Sequence, residues 1–166
     1  MFIPTSDLDR LAECLRALVE EHRRLLEVVT RHDAAMRSMD AGQIEQLVAV
    51  QEATRTRIIQ AEARRRLIVA TVVRQAKLAG EPTLSRLATT FPTHRTALLA
   101  HRDELKSLAT QIKSKTAVTT KIAQSILGHL NTAVRLLAGV VEKGGTYTKQ
   151  GVPKLTRRLG SIEAVG

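Results

Sequence analysis

The sequence predicts an all-α protein: a long antiparallel helical hairpin and a third long helix forming an elongated three-helix bundle, with a short helix at about 84–91 and a flexible C-terminal tail. Three observations predict it. Apolar residues recur at alternating three- and four-residue steps from Leu8 onward, the spacing that gathers side chains on one helix face. Glycine and proline cluster at a few breaks, chiefly "AGEPT" (79–83) and Gly144–Gly145. The length, 166 residues, suits one domain able to bury most of a core.

Ser6 with Asp9 three residues on resembles a capping box that opens the first helix. Leu8, Leu11, Leu15, Leu18, Leu25, Val29, Met36 and Met39 then form a stripe, widened by Ala12, Val19 and Leu26. His22 and His32 fall on that stripe. They read as buried, hydrogen-bonded histidines, because no carboxylate or cysteine cluster completes a metal site. Asp40 with Gln43 forms a second capping box, with Gly42 near the bend. The second helix runs from about Ala41 to Ala79. Its apolar residues are sparse at first (Ile44, Leu47, Val48) and then dense (Ile58, Ile59, Leu67, Ile68, Val69, Val72, Val73). So short a turn forces an antiparallel hairpin, roughly 50 Å long at 1.5 Å per residue.

Gly80 and Pro82 end the hairpin, Thr83 caps the short helix "LSRLATTF", and Pro92 closes it. The third long helix starts at Thr93 and runs to about Lys143. Its early seam is Leu98, Leu105, Leu108 and Ile112, which weakens through "KSKTAVTTK" (113–121). Gly144 and Gly145 stop it. The expected organisation is a helical bundle over 1–143 and a flexible basic tail over 144–166.

Charge and composition narrow the function. The formal net charge is +10, and most of it lies late in the chain. Residues 80–166 hold 13 Lys/Arg against 5 Asp/Glu, whereas residues 1–79 hold 13 against 11. Nucleic acid, an acidic protein or an anionic surface are the partners such an asymmetry raises. With only Phe2, Phe91 and Tyr147 as aromatics, recognition of bases by stacking is disfavoured. The longest apolar run, "LIVATVV" (67–73), is too short to span a membrane. The start lacks a secretory signal pattern, and a lone Cys14 cannot form an internal disulfide, so a reduced cytoplasmic setting is expected. "HRD" (101–103) lies in a helix without a phosphate loop or "DFG" and carries no kinase chemistry. No nucleophile–base pair, cofactor motif or small-molecule site is evident, and no enzyme activity is expected.

The stretch "SILGHLNTAVRLLAGVV" (125–141) is more apolar than one helix face requires. At about 100° per residue, Ile122, Ile126, Ala133, Leu136 and Val140 form one seam. Ala123, Leu127, Leu130, Val134, Leu137 and Val141 form a second, centred roughly 100° away. Together they cover about 180°, where a core-facing helix needs little more than ~100°. Either both seams are core, or the first packs at home and the second meets a partner helix. Gly128 and Gly139 lie on the polar side, where packing does not demand them.

The segment "PTLSRLATTFPTHRTALLAHRDELKSL" running into the third helix, the arginine-bearing "AEARRRLIVATVV" (61–73) and the closing "YTKQG" (147–151) resemble the FlgN flagellar export chaperones. Where that family often has an Asn-x-x-Asn pair, this chain has Thr116 and Thr119. The resemblance implies a cytoplasmic chaperone that covers the terminal, coiled-coil-forming helices of hook-associated flagellar proteins and delivers them to the type III export gate. It places client contact on the C-terminal region, hence on Ala123, Leu127, Leu130, Val134, Leu137 and Val141. It makes Tyr147 the residue that docks to the export-gate protein. Two other readings are a basic helical protein that binds nucleic acid or ribosomes, and a structural coiled-coil adaptor.

Overall fold

The computed structural model describes residues 5–78 and 83–144, the side chains to 138. Among them the elements are α1 (Thr5–Ser38), α2 (Ala41–Gln75), α3 (Leu84–Thr90), a 3₁₀ turn (Pro92–His94) and α4 (Arg95–Gly144). The protein is all-α, as expected, and no strand occurs among the described residues. No helix is long and apolar enough to cross a membrane among them.

The α1 stripe does what its spacing demands. Leu8, Leu11, Leu15, Leu18, Val19, Leu25, Val28 and Val29 are all buried. Ser6 lies inside α1 rather than at its cap, since the helix already includes Thr5. Met39 also departs from expectation: it is exposed, outside the stripe, with φ 57°. Its amide donates to the Met36 carbonyl at 3.3 Å, and the Asp40 amide donates to Ala35 at 3.1 Å. That paired arrangement ends a helix by a single left-handed residue. The bend is therefore at Met39, and Gly42 sits in the first turn of α2. The Asp40 cap stands, its Oδ1 accepting from the Gln43 amide at 3.0 Å.

Four cross-links fix the direction of α2. As the α1 partner advances from Asp7 through Cys14 and Glu21 to His32, the α2 partner retreats from Gln75 through Ala61 and Arg57 to Gln51. The hairpin is antiparallel. It ends earlier than Ala79: Lys77 takes φ 50°, and its amide and that of Leu78 donate back to Arg74 and Val73 at 3.3 and 3.1 Å. Here again a non-glycine residue makes the left-handed stop. Gly80 and Pro82 lie outside the described residues.

Ile59 and Leu67, within the dense apolar stretch of α2, are both exposed. The apolar side chains of α2 are spread around its circumference, so only Leu47, Thr54, Val69 and Val72 within the helix are buried. Thr54 satisfies its hydroxyl by donating to the Val50 carbonyl at 2.8 Å while accepting from Arg57 at 3.0 Å.

α3 begins as its sequence indicates, with Thr83 Oγ1 accepting from the Arg86 amide at 3.2 Å. Leu87 and Ala88 insert into the main core with Leu8, Leu11, Leu15, Leu18, Val69, Val72 and Leu98. Pro92 opens the 3₁₀ turn, so α4 proper starts at Arg95, two residues later than expected. His94 Nε2 meets Asp9 Oδ1 at 3.0 Å, and Arg23 pairs with Glu104. The early part of α4 therefore runs parallel to α1. A smaller cluster of Val28, Ala35 and Leu47 lies toward the Met39 turn.

Candidate functional site

The chain resolves into two compact units, and the boundary falls inside α4: the first ends at Ile122 and the second begins at Ala123. In the first unit the expected α4 seam is in place. Leu98 and Leu108 are buried, and Leu105 and Ile112 are half-buried. His22, Leu25, Ile58, Ile59, Ala109 and Ile112 line an open groove of about 550 Å³ there, together with Glu52, Arg55, Thr56 and Lys113. The groove follows from Ile59 and Ile112 being placed near one another without a covering residue.

Both stripe histidines are half-buried and hydrogen-bonded. His22 Nδ1 is 2.7 Å from the Leu18 carbonyl, and His32 Nδ1 is 3.3 Å from Gln51 Oε1. Among the described residues no group of three or more His, Cys, Asp or Glu could hold a metal ion. Cys14 is buried, with Sγ 3.6 Å from the Ala61 carbonyl. Burial pushes its thiol above the ordinary value, and the nearby Arg64 and Arg65 offset this only in part. A thiol kept protonated in this way is a poor nucleophile.

The second unit is where the surplus apolar surface lies. Leu127, Leu130, Val134 and Leu137 repeat at steps of three, four and three residues and so share one helix face. They are 60%, 56%, 62% and 67% exposed. Ala123, at the head of that seam, is half-buried. Leucine and valine at this exposure, aligned over three turns, form a contiguous patch of the kind that marks a protein-binding surface. The side chain of Val141 and all of Tyr147 lie outside the described residues.

The other seam corrects the expectation that it packs at home. Ile122 and Ile126 are half-buried, but Ala133 and Leu136 are exposed, Leu136 at 66%. α4 has 50 residues against 34 and 35 in α1 and α2. The apolar arc between Ile126 and Leu137 is open on both seams, which the heptad pattern alone does not reveal.

Local chemistry keeps the intrinsic helix preference here modest. Thr119, Thr120 and Thr132 turn their hydroxyls back to the carbonyls four residues earlier, at 3.1, 2.9 and 3.0 Å, a habit that slightly weakens helices. Gly128 adds to this, and a Cβ there would meet nothing within 4 Å. No packing contact therefore requires glycine at that position.

The charge of this stretch differs from the rest. Between residues 105 and 141 there are Lys106, Lys113, Lys115, Lys121 and Arg135 and no Asp or Glu. Earlier arginines are mostly paired, as in Arg24–Glu21, Arg37–Asp33, Arg57–Glu21 and Arg65–Glu62. Among the described residues none of the five later cations has a carboxylate within 4.0 Å.

A family model described as FlgN protein matches residues 1–154. No curated protein and no solved structure matches the chain.

Proposed function

The chain belongs to the FlgN family, a family of flagellar export chaperones rather than of enzymes, and from that premise we propose that it works in the cytoplasm as the carrier of hook-associated proteins. In this reading the seam Ala123, Leu127, Leu130, Val134, Leu137 and Val141 receives the terminal, coiled-coil-forming helix of a hook–filament junction protein. Tyr147, in a separate tail over 144–166, docks the loaded chaperone to the export-gate protein.

The observation that carries the client assignment is the exposure of Leu127, Leu130, Val134 and Leu137 on one face of α4. A client helix that awaits assembly presents an apolar stripe of its own, and two such stripes exclude water together. Covering the four side chains supplies several kcal/mol at ~1.5–3 kcal/mol for each fully buried residue, reduced by the part already buried. The client's matching stripe buries a comparable area, and both contributions together are needed to meet the cost of association and the ~8 kcal/mol of micromolar binding. Nothing in the reading requires a cofactor or a small-molecule substrate.

The test is a titration of the full chain against a labelled terminal helix of a hook–filament junction protein. One-to-one binding at micromolar affinity or tighter supports the reading, and absence of binding overturns it. Tyr147→Ala should leave that affinity unchanged while abolishing capture by the export-gate protein. Loss of client binding in this variant would refute the division of labour.

A further inference from the structure

We propose that a second copy of this chain covers the α4 strip while no client is bound. Two α4 helices pair in parallel as a two-stranded coiled coil, and a client helix has to displace one of them. The pairing stands apart from the client reading, whereas the displacement rests on it.

The register of the strip is the first support. Leu127 and Val134 take the a positions of a heptad, and Leu130 and Leu137 take the d positions. All four are more than half exposed. A β-branched residue at a with leucine at d, as in Leu130, Val134 and Leu137, is the combination that favours two strands in parallel coiled coils.

Charge is the second support. The positions flanking the seam are Gln124, Asn131 and Ala138 at e, and Ile126 and Ala133 at g. Coiled coils turn away a wrong partner through charges at e and g or through a polar residue at a. Between residues 123 and 138 this strip has neither. The one Lys, Arg, Asp or Glu in that span is Arg135, at an outward b position about 120° round the helix from the middle of the strip. No like charges meet when the strip faces itself, and nothing in it separates a client's heptads from its own.

The area covered is the third support. The four side chains are 60%, 56%, 62% and 67% exposed, so two copies together shield about five side chains' worth of apolar surface. Set against the cost of association, this corresponds to a dimer Kd of about 1–100 μM. Only a separated chain offers an open strip. At ten times the dimer Kd about a fifth of the chains are separate, and client affinity falls about fivefold.

The experiment is sedimentation equilibrium of the full chain from about 1 to 500 μM. The mass should rise from one chain to two, as readily at about 500 mM salt as at about 50 mM. L130D/L137D should stay single at every concentration while keeping its helical signal. In a Cys14→Ser background, L127C should form a disulfide between copies, because a parallel pair sets each position 127 against its counterpart. An antiparallel pair centred on the strip holds those positions about 15 Å apart. Excess labelled terminal helix of a hook–filament junction protein should then convert the pairs into one-to-one complexes.

Single chains throughout, or pairs that persist in L130D/L137D, overturn the inference and leave the client reading intact. Pairs that come apart at high salt belong to charges outside the strip and overturn it too. Pairs without the L127C disulfide overturn the parallel register. A client helix that binds while the pairs stay whole overturns the displacement and, with it, the client reading of the strip.

Discussion

Replacing Leu130 and Leu137 by aspartate should separate binding from folding. The two side chains are 56% and 67% exposed, so a covering helix removes a little more than one leucine's worth of surface from water at these positions. At ~2 kcal/mol for a fully buried leucine this is about 2.5 kcal/mol, or roughly 70-fold in Kd, before the added cost of burying two unpaired carboxylates. The folded monomer loses far less. Leu-to-Asp changes at exposed helix positions cost about 0.5 kcal/mol each in helix preference, and no core contact is removed. Circular dichroism at 222 nm should therefore stay within about a tenth of the wild-type signal, while fluorescence anisotropy with a client helix loses binding by two orders of magnitude or more. Cooperative loss of the whole helical signal would mean that the two leucines support the core. Unchanged affinity would mean that the client lies elsewhere, and either result refutes the reasoning.

Gly128→Ala should strengthen the second half of α4 by about 1 kcal/mol, since alanine is the better helix former and its methyl group meets nothing; amide exchange across 124–135 should slow severalfold, and no slowing would show another term in control. Met39→Gly should raise stability to urea by about 0.5–1 kcal/mol by relieving a left-handed non-glycine residue, and Met39→Val should lower it. Cys14 should react with iodoacetamide far more slowly in the native protein than in urea, because burial holds the thiol protonated. Stability should also fall as pH rises past the ordinary thiol value of about 8.5: between that point and the raised native pKa the unfolded chain binds fewer protons than the folded one, so deprotonation favours unfolding. Cys14→Ser should flatten that slope, and an unchanged slope would exclude the thiol as its source.

Much of the fold is legible because the signals are local. The stripe from Leu8 to Val29, the Asp40 cap and the Thr83 cap each depend on residues within a turn or two of one another. The two helix stops were hidden for a physical reason: Met39 and Lys77 adopt φ values usually given to glycine, and nothing in their side chains announces it. Gly42 drew the eye to the bend and proved to be an ordinary first-turn residue. Leu136 is exposed against expectation, as are the apolar Ile59 and Leu67, because hydrophobicity reports what a side chain prefers, whereas its burial depends on whether another element reaches it. The candidate strip shows both sides of this. Its shared face follows from spacing alone, but its openness is a matter of the solvent exposure of each side chain in the folded chain.

The order of the core residues along the chain has a consequence for synthesis. The main cluster is complete once Leu98 has been made, and the exposed strip of α4 begins only at Leu127. Chains emerge from the ribosome amino end first and tend to fold in that order. The scaffold can therefore close while the sticky segment is still sheltered in the exit tunnel, so the greasy face reaches the cell attached to a finished body rather than to a nascent, tangled one.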